Sequence, residues 1–226
     1  MTVLSLDLDD TLWTLGGVIE KAEQAMHEHL YRQHPAVAKA YPPERMRALA
    51  MEIAQAEPGL RHDISALRTR ALERALVDGG APGARAREIF EVFMVARHQV
   101  SFYPDTLPML ERLHGRLPLV ALTNGNADVH RVGIGHYFAR SFSPVDVGVP
   151  KPDRAMFEAV ARHTAVPLHS IIHVGDDPER DVAGAAEHGL RAIWLNRNGD
   201  PWPDEVPEVA CEEIRSLEEL PGLLDH

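Results

Sequence analysis

Cysteine is nearly missing from this chain, Cys211 being the only one among 226 residues. That excludes an intrachain disulfide and any CxxC metal or redox pair. Lysine is almost as rare. Lys21, Lys39 and Lys151 are the only three, so arginine supplies most of the positive charge. Positive charge is itself scarce: 23 Lys and Arg face 34 Asp and Glu, for a formal net charge of -11. Such a balance argues against a surface that neutralises nucleic-acid phosphates, and no nucleic-acid partner is expected. No apolar run approaches the ~20 residues of a membrane span, so no membrane partner is expected either. Asp7 interrupts the first apolar run before a signal-like core can form. The expected address is a reducing cytoplasm.

What remains is an ordinary globular composition, 45% hydrophobic and 25% charged. Residues 3–8 read as a short buried strand cut off by an acidic turn. Gly16-Gly17 follows as a permissive pair suited to a hinge. From 18 to about 100 the pattern is helical, with Ile19, Ala22, Met26 and Leu30 at three- and four-residue steps. Pro42-Pro43 opens a segment with Met46, Leu49 and Ile53, and "ISALRTRALERAL" and "REIFEVFMVARHQV" keep the same period. The stretch predicts about four helices, with Phe90, Phe93 and Met94 in their core and His27, His29 and His34 exposed.

After Pro104 strands and helices alternate: a helix over 105–115, a strand over 117–122, a helix over 153–163, the strand of "SIIHVGDD", a helix over 179–188 and the strand of "RAIWLN". The Pro-rich "DPWPDEVP" reads as irregular. Alternation of this kind predicts an α/β fold with a parallel sheet. The expected core is residues 1–15 plus 102–226, interrupted by a helical domain over 16–101. Ligands of such sheets bind beyond the carboxyl ends of the strands. Three strands end in distinctive polar groups, at Asp7/Asp9, Thr123-Asn124 and Asp176-Asp177.

Asp7 and Asp9 are two residues apart, which on an extended segment puts both on one face. With Asp176 and Asp181 the site gathers up to four carboxylates. Two unit charges 4 Å apart repel by roughly 4 kcal/mol at an effective dielectric of 20, so the cluster must bind a cation or take up protons. All-oxygen donors suit Mg2+, which also accepts phosphate oxygens. Thr123 offers a hydroxyl, the N–H groups around Asn124 and Gly125 can face an oxyanion, and Lys151 between two prolines adds a point charge.

In their order, "DLDDTL" (7–12), "LTNGN" (122–126), Lys151 and "HVGDDPERD" (173–181) resemble the four motifs of the haloacid dehalogenase superfamily of hydrolases. The helical stretch between the first two is similar to that family's C1-type cap. The resemblance implies a Rossmann-like core with an inserted helical cap and a Mg2+-dependent phosphatase of small phosphorylated metabolites, monomeric or homodimeric. It implies Asp7 as nucleophile and Asp9 as acid and base, with Mg2+ held by Asp7, the Asp9 carbonyl and Asp176. It places Asp10, Thr11, Thr123, Asn124 and Lys151 around the phosphoryl group, using the amide of Asp10, which stands where many relatives have glycine. Asp181 would orient Lys151 or metal-bound waters, and Asp177 is a weaker candidate for the metal. "EPGLRHD", "PLVALTNGNADVHRVGIGHYF" and "IIHVGDDPERDVAGA" are similar to bacterial phosphatases of flavin mononucleotide and of a phosphoribitylaminouracil.

An Asp behind a strand is, alone, most often a turn former or helix cap. It is the four motifs together that single these out. Trp13, Arg61, His62 and Arg68 are substrate-contact candidates, although packing is the plainer role for Trp13. Three other readings remain open: a phosphomutase with nearly the same residues, a 2-haloacid dehalogenase with the same nucleophile, and a non-catalytic binding protein.

Overall fold

The computed structural model describes residues 1–224, which divide into two compact units, Met1–Thr14 with Ser101 onward, and Leu15–Val100. The first strand, β1 (Val3–Leu6), is buried along its whole length. It ends two residues earlier than its apolar run predicts, so Asp7 lies beyond the last sheet residue.

The unit over Leu15–Val100 is helical. Its helices are α1 (Val18–Gln33), α2 (Pro35–Ala40), α3 (Pro43–Ala56), α4 (Ile64–Asp78) and α5 (Ala86–Arg97). That is one more than expected among the described residues, because Pro35 starts a short helix immediately after α1. Ala22, Met26, Leu30, Leu72, Leu76 and Phe93 share its apolar core, with Phe90 stacked on Phe93 at 5.3 Å between centroids. The Asp63 carboxylate caps α4 by accepting from the amide of Ala66 at 2.8 Å. His27 and His29, which α1 turns partly toward the packed side, and His34, at the junction of α1 and α2, are half-buried rather than exposed.

The sheet unit resumes with α6 (Thr106–Leu113), β2 (Leu119–Leu122), α7 (Val129–Val132), β3 (Arg140–Phe142), α8 (Pro144–Val147), α9 (Arg154–Thr164) and β4 (Ile171–Gly175). A π-helical turn over Pro178–Ala183 runs into α10 (Gly184–Glu187), replacing the single helix expected there. β5 (Arg191–Leu195), β6 (Glu212–Ile214) and α11 (Leu220–Leu224) complete it. Among the described residues, six parallel strands lie in the order β3-β2-β1-β4-β5-β6. β3 and β6, which the sequence pattern does not reveal, are three-residue strands at the two edges. Charge on short edge strands hides them from a hydrophobic reading and protects the sheet from further pairing.

The strand order reverses between β1 and β4. Connections leaving these two strands diverge to opposite sides, opening a crevice beyond their carboxyl ends. Asp7 and Asp176 are the first residues past the two strands, which puts their carboxylates at that crevice. Among the described residues, no helix is long and apolar enough to cross a membrane.

Candidate active site

β1 and β4 pair in register, Leu6 opposite Val174, and the amide of Asp7 donates to the Val174 carbonyl at 2.9 Å. That bond carries Asp7 one step past the sheet while fixing its backbone. Lys151 then meets it from across the crevice. Its Nζ donates to Asp7 Oδ1 and to Asp181 Oδ1, each at 2.6 Å. Asp7, Lys151 and Asp181 are 7%, 3% and 2% exposed, so these are desolvated, charge-assisted contacts. One carboxylate oxygen from each of Asp7, Asp176 and Asp181 lies within 4.8 Å of the others.

The electrostatics follow from burial against pairing. Burial pushes Asp7 well above the usual carboxylate range; Lys151 opposes this, while Asp181 and Asp176 add to it. Burial likewise pushes Asp176 up to about 7, helped by the charge on Asp181. Asp181 goes the other way. Burial would raise it, but Lys151 and His173 together hold it well below the ordinary value. Burial works against the charge on Lys151, yet attraction to Asp181 and Asp7 outweighs it and keeps the ammonium protonated. Three carboxylates against one ammonium leave the cluster short of positive charge. An all-oxygen donor set with surplus negative charge fits a hard divalent cation such as Mg2+.

His173 is a member of this site that sequence reasoning passed over. It is buried in β4, with Nε2 3.2 Å from Asp181 Oδ1 and Nδ1 3.0 Å from Ser5 Oγ. Burial and the nearby Lys151 charge lower its pKa, so the ring is neutral. The Asp181 carboxylate can only accept, which assigns the hydrogen to Nε2. A histidine inside the apolar run "SIIHVG" was the available signal. Gly175 is a second omission. A Cβ there would collide with the Asp181 carboxyl group, so only glycine lets the π-turn lay Asp181 against the end of β4.

Several residues stand elsewhere than their expected roles require. Asp9 does not continue the extended strand and is outside the carboxylate cluster among the described residues. Its Oδ1 accepts from Trp13 Nε1 at 2.8 Å, across a tight turn. Asp10 forms that turn with φ 58, a left-handed conformation that glycine, Asn and Asp adopt most readily. Its amide donates to the Trp13 carbonyl at 2.8 Å and is thereby committed within the loop rather than offered to a phosphate. Trp13 is fully buried, edge-on to Phe102 at 5.9 Å, and presents no face for stacking on a ligand. Thr11 is also fully buried, and its hydroxyl donates to Asp176 Oδ1 at 2.9 Å instead of facing the crevice.

The Gly125 amide is similarly taken, donating to Thr123 Oγ1 at 2.9 Å. Asn124 holds the backbone of Lys151 at two points: its Oδ1 accepts from the Lys151 amide at 2.7 Å and its Nδ2 donates to the Lys151 carbonyl at 2.9 Å. Asp177 is not in the carboxylate cluster. It caps the π-turn, accepting from the amides of Glu179 and Arg180 at 3.0 and 2.8 Å. Arg61, His62 and Arg68 belong to the helical unit. Arg61 is exposed and donates to the Ala54 carbonyl at 2.9 Å, while His62 is half-buried. Arg68 lies 3.6 Å from the buried Glu23 and over the Phe93 ring at 4.8 Å. It lines a cavity of about 260 Å³ inside that unit with Met26, Met46 and Leu67.

Residues 1–189 match the family model for haloacid dehalogenase-like hydrolases. The 5-amino-6-(5-phospho-D-ribitylamino)uracil phosphatase YigB of Escherichia coli (strain K12) is 32% identical, over 97% of this chain and 96% of its own length. A phosphoserine phosphatase of Thermus thermophilus is 30% identical, over 96% and 98%. The crystal structure of a 2-haloacid dehalogenase from Pseudomonas syringae pv. Tomato DC3000 superposes with a TM-score of 0.91 at 40% identity, over 100% and 98%.

Proposed function

The chain belongs to the haloacid dehalogenase-like hydrolases, and from that premise we propose that it is a Mg2+-dependent phosphatase of small phosphorylated metabolites. The carrying observation is the buried Asp7–Lys151–Asp181 triad at 2.6 Å contacts beside Asp176. In this reading residues 15–100 take the part of the family's cap.

Asp7, fixed at the end of β1, is the nucleophile. With one oxygen held by Lys151, its carboxylate attacks phosphorus and forms an acyl phosphate, dividing one difficult displacement into two easier ones. Asp9 gives a proton to the departing alkoxide oxygen and later takes one from the water that hydrolyses the acyl phosphate. The indole of Trp13 orients it for both tasks. Lys151 stabilises charge spread over the phosphoryl oxygens, and Asn124 holds the lysine backbone in place. Asp7, Asp176 and the carbonyl of Asp9 would hold Mg2+, which supplies charge neutralisation to the phosphate oxygens and to the carboxylates themselves.

For the substrate we take the ribitylaminouracil monophosphate named for the Escherichia coli relative, with flavin mononucleotide second, because the likeness to that relative spans nearly the whole chain. The test is phosphate release from an aryl phosphate and from a panel of metabolite phosphates containing both compounds. Wild type should release phosphate only with Mg2+, and Asp7→Asn should lower kcat by about 10³-fold or more. No release across the panel would refute the proposal, and an isomerised sugar phosphate in place of free phosphate would make the protein a phosphomutase.

The likeness to a 2-haloacid dehalogenase favours a second reading, in which Asp7 displaces halide from carbon. That chemistry needs neither a divalent cation nor an acid/base at position 9, so Asp9 and the carboxylate cluster would stand unused. Metal-independent chloride release from 2-chloropropionate would establish it.

A further inference from the structure

The loop from Asp9 to Trp13 is held from behind by an ion pair that touches none of the reacting groups. Arg197, two residues past β5, donates from Nη1 and Nη2 to the two oxygens of Asp105 at 2.7 and 3.0 Å. Its guanidinium lies over the Tyr103 ring, 3.9 Å from the centroid. The same Nη2 donates to the carbonyl of Thr11 at 2.9 Å. Asp105 is pinned in turn, accepting from the Ser216 hydroxyl and the Leu217 amide at 2.8 Å each. On its other side Thr11 donates its hydroxyl to Asp176 Oδ1. Thus Thr11 has its backbone fastened by Arg197 while its side chain aims one carboxylate of the cluster.

We propose that Arg197 and Asp105 are positioning residues that set the Asp176 carboxylate for cation binding by locking Thr11, an inference resting on the phosphatase reading above. Two features make the lock necessary. The loop includes the left-handed Asp10, a conformation that persists only where its surroundings enforce it. Asp176 is a half-buried carboxylate just beyond β4, and apart from its own backbone the contact that orients its side chain, among the described residues, is the hydrogen bond from Thr11. The Trp194 indole fixes only its carbonyl, at 3.0 Å. A planar guanidinium can satisfy both Asp105 oxygens and the Thr11 carbonyl at once. A lysine keeps the charge but not that fork, so the conservative change separates geometry from charge.

The experiment measures Mn2+ affinity of the purified full chain by titration calorimetry, with urea unfolding and phosphatase kinetics alongside. The variants are Arg197→Lys, Thr11→Val and, as control, Arg191→Lys. Arg191 pairs with Glu212 at 2.6 Å across β5 and β6 and makes no contact with Thr11. Arg197→Lys and Thr11→Val should each weaken Mn2+ binding about tenfold, the lower range for residues that orient ligands. Arg191→Lys should bind within about twofold of wild type. In the kinetics, kcat at sub-saturating Mg2+ should fall by a similar factor with KM for the phosphate ester unchanged and should recover at saturating Mg2+, a rescue that a fixed unfolded fraction, counted by the urea curves, would not show. Thr11→Val keeps shape and volume nearly constant, so it decides the matter if Arg197→Lys fails to fold. Wild-type Mn2+ affinity in Thr11→Val or in folded Arg197→Lys would overturn the inference, as would equal weakening in Arg191→Lys. A wild type that binds no Mn2+ would overturn it too. A chain that shows the expected Mn2+ dependence but hydrolyses no phosphate ester refutes the phosphatase reading and leaves the positioning role standing.

Discussion

The two units bury charge in opposite ways. In the helical unit nearly everything inside is apolar, and ion pairs such as Arg74–Asp78, Arg85–Glu88 and Arg45–Glu52 lie on exposed helix faces. The exceptions are Glu23, buried beneath Arg47 and Arg68, and Arg97 and His98 at the end of α5. The sheet unit instead buries Asp7, Lys151, Asp181 and His173 together, then braces their surroundings with Asp105 and Arg197. Desolvating ions costs several kcal/mol each, and apolar replacements of similar shape are often as stable or more so. The sheet unit carries that cost where the chemistry is placed. The difference teaches that stability organises the interior of the helical unit and reactivity that of the sheet unit.

The largest expected effect breaks the sheet-unit half of that comparison. Lys151→Met removes the cation shared by Asp7 and Asp181 and leaves both carboxylates in a buried site without it. Losing one partner of a buried ion pair costs about 3–5 kcal/mol. Removing a preorganised charge from a transition state costs a further ~10²–10³-fold in kcat. Urea unfolding and Mg2+-dependent phosphate release would check both. Unchanged stability would mean that the lysine is there for chemistry alone.

Next in size is the apolar side of the comparison. Leu72, fully buried in α4, packs within the core of the helical unit. Leu72→Ala should destabilise the protein by about 2–5 kcal/mol, the loss of burial plus the cavity left behind. Mn2+ binding by the molecules that remain folded should match wild type. Weakened binding in the folded fraction would show that the two units do not divide their labour in this way.

The same contrast decides what could be read without coordinates. The inner strands were legible because β1, β2 and β4 are four or five wholly buried residues ending in Asp or Thr. The edge strands were not, since "RSF" and "EEI" are short and charged. Asp7, Asp176, Asp181 and Lys151 stand out in sequence as motif residues, and the fold does bring them within contact. The loop around Asp10 defeated the extended-strand assumption, because alternation of side chains fails once a residue takes φ 58. The π-turn spans only six residues, too few for its period to differ visibly from a helix. Asp105 and Arg197 lie 92 residues apart, and no local pattern joins them. Polar networks of this kind are set by tertiary placement, whereas apolar period is written locally.

The smallest effect sharpens the comparison with two aspartates that are both held below their ordinary value of 3.8. Burial pushes Asp105 up, but hydrogen bonds from Arg197, the Leu217 amide and Ser216 outweigh it. The bond from Tyr41 lowers Asp78, joined by Arg74, on an exposed surface. A carboxyl group depressed on folding binds protons more tightly when unfolded. Its contribution is therefore complete above the unfolded value and is lost as pH falls through the folded one. Wild-type Tm should accordingly drop on acidification below about pH 4. Asp105→Asn removes one titrating group from that drop and should make the acid limb shallower. Asp78→Asn should leave the limb nearly unchanged, because solvent screens an exposed pair. Melting curves between about pH 2.5 and 7 would check it. If Asp78→Asn flattened the limb as much as Asp105→Asn, the surface pairs of the helical unit would matter as much as the buried ones of the sheet unit.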